Sequence, residues 1–286
     1  MEDEGAETTA TAAPDDADDL RGHYFKQLLR KPLTQALVAA TAIVGGVAGA
    51  AIVGPGVGAA AFLAALVIAL LIVFAIADSH SEDAFFEHYA SQRQMTVGAK
   101  QALPPFTPLL RKGDDRYAER TLTGPLAEGL DGIVALFTYE EETTDSKGNR
   151  QTNYYRYTLG LAQVSECAAL VPELYCQRKF GLRALEKLED AFRNSKQRVK
   201  LESEGLDERY EIFAAEAQDQ VWLRRLFSPT FIVWLGEEAP EKFAFELVEG
   251  MLCCYVSGHK ESAEELDTLR AASAAVATRL REEAAE

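Results

Sequence analysis

Residues 42–77 contain no charged side chain and no side-chain hydrogen-bonding group. A straight helix of that length would reach about 54 Å, against a hydrocarbon core of about 30 Å. The run therefore needs a break, and Gly54-Pro55-Gly56 supplies one, because proline lacks a backbone donor and the glycines permit turn dihedrals. Divided there, residues 33–53 and 57–77 each have about the 20 residues that a membrane-spanning helix requires. The expectation is a transmembrane helical hairpin over 33–77 with its turn at 54–56.

The same stretch, "AIVGPGVGAAAF", admits a second reading. Gly54, Gly56 and Ala59 fit the G-x-G-x-x-G/A turn of a dinucleotide site, and Asp78 follows at about the distance of a ribose-binding acid. That reading requires a helix with a solvent face after the turn and a strand after the helix. "VGAAAFLAALVIAL" is apolar on every side and runs into "LLIVFAIAD" without a polar turn, so the hairpin is preferred. A cleaved secretory signal is also disfavoured, since an acidic segment precedes the run and the run exceeds the roughly 7–15 apolar residues of such a signal.

Orientation follows from the basic residues. Arg21, Lys26, Arg30 and Lys31 precede the first span within a basic juxtamembrane segment, 21–32, and the turn carries no charge. Positive residues beside spans stay cytoplasmic, which places both chain ends in the cytoplasm and the protein in a cell inner (plasma) membrane. "RGHYFKQLLRK" also suits a short interfacial helix, although setting topology accounts for it equally. Gly45 and Gly49, and again Gly54 and Gly58, stand four residues apart. Such spacing lets helices approach closely, either within the hairpin or between copies as a homo-oligomer.

The remaining composition excludes several functions. A formal charge of −16 leaves no broad basic surface for nucleic acid. Cys167, Cys176, Cys253 and Cys254 have no metal-binding or disulfide spacing and read as buried small hydrophobes. His80, Asp83, Glu87 and His88 fall close together on one predicted helix, which suggests a cation site but fits an exposed polar face better. No phosphate-binding loop, nucleophile elbow or paired-carboxylate spacing stands out, so no catalytic residue, cofactor or metal is assigned.

Around the hairpin the chain divides readily. Residues 1–20 hold eight acidic side chains and no basic one and read as a disordered tail. A mixed, mainly antiparallel α+β domain is expected over 79–258, with a C-terminal helix over 261–286. Within it, Ser79 and Glu82 resemble a capping box opening a helix that the prolines of "QALPPFTPLL" end. Strands are expected at 133–139 and 153–161 around Lys147-Gly148-Asn149, and in "LYCQRKFG", "QRVKLES" and "RYEIFAAE". A helix is expected at 185–192, two short helices in "DQVWLRRLFSPTFIVWL", and a closing strand pair in "FAFELVEGMLCCYVSG".

The stretch "VKLESEGLDERYEIFAAEAQDQVWLRRLFSPTFIVWL" resembles the signature region of a bacterial family, domain of unknown function thirty-one thirty-seven. The shared features are the basic strand ending in "LES", the "RYEIF" strand, the polar "AQDQ" turn and a helix broken by Ser228-Pro229. The order of elements follows that family over about residues 80–258. The resemblance implies membrane association and an α+β soluble part and brings no catalytic residue. The functional expectation is an anchor or adaptor whose cytoplasmic domain binds another protein, with Arg224, Arg225 and Trp234 and the final helix as the partner surface. The alternative is a membrane-tethered enzyme acting on a lipid or envelope precursor. A pore formed by oligomerised hairpins is disfavoured because the spans offer no polar lining.

Overall fold

A computed structural model of the chain describes residues 17–52, 54–144, 147–179, 196–201 and 203–285. The acidic tail up to residue 16 and the helix expected at 185–192 lie outside the described residues. The chain forms two units, one running to Tyr89 and including Glu261–Ala263, the other running from Ala90 to Lys260 and including Glu264–Glu286.

The first unit is helical. Helix α1 (Ala17–Arg30) carries the juxtamembrane basic segment, and α2 (Pro32–Ile52) begins directly after a bend at Lys31. Helix α3 (Pro55–Gln92) follows, antiparallel to α2. Pro55 is the first residue of α3, where its missing N–H would have found no helical partner and its fixed φ suits the helix. Gly54 alone provides the reversal, at φ +126°, a conformation closed to other residues without strain. The turn is thus tighter than 54–56, since Gly56 already lies in α3. The segment "LLIVFAIAD" is helical, which removes the second strand that a dinucleotide site needs. Helix α3 also runs uninterrupted past Ser79, so no capping box opens a new helix there. The neighbouring Ser81 hydroxyl instead donates back to the Asp78 carbonyl at 2.7 Å. The helix ends at Gln92, before the prolines, and Gln94 adopts φ +56° to redirect the chain.

The second unit is built on one nine-stranded sheet, β1 (Thr96–Gly98), β2 (Asp115–Ala127), β3 (Leu130–Thr144), β4 (Arg150–Gln163), β5 (Glu173–Arg178), β6 (Lys196–Val199), β7 (Tyr210–Ala215), β8 (Ala244–Val248) and β9 (Met251–Ser257). Their spatial order is β1-β2-β3-β4-β9-β8-β5-β7-β6, and neighbouring strands are antiparallel throughout. Short helices α4 (Glu204–Arg209), α5 (Gln220–Leu226) and α6 (Pro229–Val233) connect β6 to β7 and β7 to β8, and α7 (Ala263–Ala285) closes the chain. Asp219 and Ser228 cap α5 and α6 by accepting from Val221 N and Phe231 N. The fold is therefore α+β, with two long apolar N-terminal helices, a mainly antiparallel sheet and a C-terminal helix.

Both faces of the central strands are covered. Helix α7 turns Leu266, Leu269, Ala272, Val276 and Leu280 inward, and Ser273 approaches Gly160 so closely that a Cβ there would lie 2.2 Å from the Ser273 hydroxyl. The opposite face carries a core of Phe137, Tyr139, Tyr157, Leu159, Cys253 and Tyr255, roofed by Leu103, Leu109 and Leu110 of the segment between β1 and β2. Double coverage explains the unbroken apolar run of β9, where Leu252, Cys253, Cys254, Tyr255 and Val256 are all buried. Cys253 and Cys254 point to opposite faces and both are fully buried, as free thiols.

Strand β2 is absent from the sequence reading. Its residues, "DRYAERTLTGPLA", are rich in charge and contain Gly and Pro. Its alternation is further broken by a register shift between Ala118 and Arg120, so that no period of two survives along its length.

Candidate functional site

The hairpin is the feature with the least ordinary surface, so its geometry comes first. Along the α2–α3 contact, small residues meet small residues. A Cβ on Gly49 would lie 2.8 Å from Ala61 Cβ, one on Gly45 2.8 Å from Ala65 Cβ, and one on Gly58 2.6 Å from Ala50 Cβ and 2.9 Å from the Gly46 carbonyl. The three glycines named from sequence thus serve contact between the two helices of one chain, and their faces are filled by it. Outside the seam the pattern inverts: Ile52 is 81% exposed, Leu33 75% and Val44 67%, with Val67, Leu71 and Ile72 also outward. The two helices therefore carry an exposed apolar surface over most of their length, and neither serves as a buried core helix of this chain.

Helix α1 lies against the same pair. Phe25 packs edge-on to Phe74 at 5.7 Å between ring centroids, and Tyr24 lies 6.5 Å from His80. These contacts set α1 at the level where α3 passes from its apolar run to Asp78. Lys26, Arg30 and Lys31 are exposed there. Arg21 lies on α1 as well.

The residues expected to face a partner are not equivalent. Arg224 is exposed on α5, beside exposed Val221. Arg225, also exposed, holds the buried Glu283 of α7 through Nε at 2.9 Å. Trp234 is half-buried, stacked on Phe231 at 5.5 Å and set edge-on to Phe243 at 5.9 Å. Arg225 and Trp234 thus brace the domain, and Arg224 presents its charge outward. On α7, Ala271, Ala274, Ala275 and Thr278 form the wall of a groove of about 750 Å³ opposite Thr230 and Trp234.

A further group was not legible from spacing. Glu246 on β8 is fully buried, between its cross-strand neighbours Tyr175 and Cys253. One carboxyl oxygen accepts from Leu109 N at 2.9 Å, and the Thr107 hydroxyl lies beside the carboxyl. Burial pushes its pKa up, opposed by the Leu109 amide and by the charges of Lys112 and Lys196. Beside it Glu173 accepts from both Tyr175 Oη and Lys196 Nζ, each at 2.8 Å. Burial lowers the Lys196 pKa, and the Glu173 contact opposes that shift. Nothing in "FAFELV" marks Glu246, because an isolated acid in an apolar run reads as the outward face of a strand. Here it clamps the roof segment to the sheet, its carboxyl oxygen accepting from the Leu109 amide.

His80, Asp83, Glu87 and His88 share one stretch of α3. Among the described residues, no three or more His, Cys, Asp or Glu side chains converge as a metal site. His259 is held below its usual pKa by burial, with Nε2 3.2 Å from the Phe137 carbonyl and 3.3 Å from the Thr138 hydroxyl. Comparison with family models, with curated proteins and with solved structures finds no match to this chain.

Proposed function

We propose that α2 and α3 cross a bacterial inner membrane as a hairpin, with both chain ends in the cytoplasm, and that the α+β domain is an anchored adaptor binding a protein at the membrane surface. One observation carries this reading: within the most apolar stretches of the two helices, only 6% and 11% of residues are buried. Two apolar helices that pack on each other through glycine and leave Leu, Ile and Val facing outward are stable where the surroundings are themselves apolar. The exposed basic side chains Lys26, Arg30 and Lys31 at one end, with none at the Gly54 turn, support the cytoplasmic assignment.

The adaptor role draws on the outward charge of Arg224 and on the groove between α6 and α7. Membership of the family with domain of unknown function thirty-one thirty-seven belongs to the same proposal and rests on the sequence resemblance of residues 199–235 alone. The test is alkaline carbonate extraction of membranes from cells making the full chain, followed by in-cell crosslinking with Arg224→Glu as control. Retention in the pellet is expected, with a crosslinked partner that Arg224→Glu loses. Release of the wild-type chain into the carbonate supernatant overturns the anchor, and a partner unchanged by Arg224→Glu overturns this surface.

A further inference from the structure

The groove enclosed by α1, α2 and α3 has no role in the anchor as such. It has a volume of about 210 Å³ and is walled by Leu28 of α1, Leu37, Val38 and Thr41 of α2, and Ile72 and Ile76 of α3. The Thr41 hydroxyl donates to the Leu37 carbonyl at 2.8 Å, so it makes no demand on an occupant. Thr34 is the other hydroxyl in an otherwise aliphatic lining, so the space offers water few polar partners, and an empty groove forfeits dispersion contacts along its walls. A flexible hydrocarbon chain suits it.

Charge fixes the other end of the occupant. Residues 30 and 31 lie in sequence between Leu28 and the groove wall at Leu37, and both Arg30 and Lys31 are exposed, as is Lys26 one turn earlier. The ring contacts of Phe25 with Phe74 and Tyr24 with His80 hold α1 across the end of the apolar segment, where headgroups lie if the hairpin spans. Three exposed cations within three residues of groove-lining Leu28 complement a molecule with an anionic head and a hydrocarbon tail.

We infer that this groove, together with Lys26, Arg30 and Lys31, is a binding site for an anionic phospholipid, whose acyl chain lies among Leu28, Leu37 and Ile72 and whose phosphate meets the basic residues. The inference rests on the membrane reading above. It makes α1 a lipid-selective element, beyond its service as a topological signal.

The test uses the full chain purified in neutral detergent and titrated with phosphatidylglycerol or with phosphatidylcholine of the same chain length, bound lipid being read by native mass spectrometry. Phosphatidylglycerol should bind roughly tenfold or more tighter. The triple variant Lys26→Gln, Arg30→Gln, Lys31→Gln should lose that preference and keep weak binding of both lipids. Leu37→Trp, at an outward position that tolerates bulk, should fill the groove and lose both, with helicity by circular dichroism unchanged. Equal binding of the two lipids by the wild type, an intact preference in the triple variant, or full affinity in Leu37→Trp each overturns the site. Carbonate extraction of the same proteins separates the two readings. Retention without lipid preference sinks the site alone, whereas release of the wild-type chain sinks the membrane anchor and the site with it.

Discussion

The hairpin and the sheet domain are built on opposite rules within one chain. In the domain, Phe137, Tyr255, Leu252 and Leu269 are buried, and most charged side chains lie outward, with Lys112, Glu246 and Glu283 as buried exceptions. In the hairpin, glycine and alanine occupy the seam, and Ile52, Val44 and Leu71 face out. The domain gains stability by withdrawing apolar surface from water, at about 25 cal/mol per Å². In the bilayer proposed for it, the hairpin gains nothing of the kind between its helices and relies on close approach, which only small side chains allow. The contrast teaches that the same residue, an exposed valine, means different things in the two regions: Val221 on α5 is an ordinary surface residue, and Val47 on α2 is one tile of a continuous apolar sleeve.

The largest expected effect tests that difference directly. Val47→Asp with Leu71→Asp places a charge on each outward helix face, at a cost of about 3 kcal/mol each near the centre of a span. Loss of the protein from the carbonate-resistant pellet is expected, while Val221→Asp should leave both membrane retention and domain stability within about 0.5 kcal/mol of the parent. If both behave alike, the two regions share one solvent and the comparison fails.

Close approach is common to both regions, and it can be broken in each. Gly58→Leu collides with Ala50 and the Gly46 backbone, and Gly160→Leu with Ser273. Overpacking of this kind costs about 1–3 kcal/mol. In the domain it should appear as a lower melting temperature. In the hairpin it should appear as easier protease cleavage at the Gly54 turn in detergent, with domain melting unchanged.

The buried carboxyl of Glu246 sharpens the domain side. Glu246→Ala leaves Leu109 N without its acceptor and should cost about 2–3 kcal/mol, whereas Glu246→Gln keeps an oxygen for that amide and should cost about 1 kcal/mol or less. The pH dependence has a definite sign. Because the folded pKa is raised, the folded state holds a proton that the unfolded chain has released above the ordinary carboxylate range. This group's contribution is therefore fully present at acid pH and is lost as pH rises from the unfolded value through the raised one. Denaturant titrations of the wild type should show that decline across mildly acidic pH, and Glu246→Gln should flatten it. A wild-type slope of the opposite sign would place the ionised form in the core.

How far the sequence could be read follows the range of the interactions. The helices of the hairpin, the Gly54-Pro55 reversal, α5 and α6 around Ser228-Pro229, and the β8–β9 pair at Glu249-Gly250 are local. Each is written as a hydrophobic run or a turn signal; α2, α5, α6 and the β8–β9 pair fall on their expected runs, whereas α3 continues to Gln92, well past the expected end at residue 77. Strand β2 escaped because its charge, Gly124, Pro125 and the irregularity after Ala118 erase alternation, and it is held as a strand by β3. The continuity of α3 past Ser79 escaped for the converse reason: a local capping signal was overridden by a helix already propagating.

What the residues alone determined was the apolar character of one segment and the mixed character of the rest, because a run of 36 side chains without a polar group leaves a helix no polar face on any side. What only the tertiary structure decided was which groups meet. The sheet order sets β4 beside β9 and β5 beside β8 across about a hundred and about seventy residues of chain respectively, and with those neighbours come the burial of Glu246, the Arg225–Glu283 pair and the coverage of both faces. Pairing at such separations depends on the shape and burial of the whole sheet, and no local period encodes it.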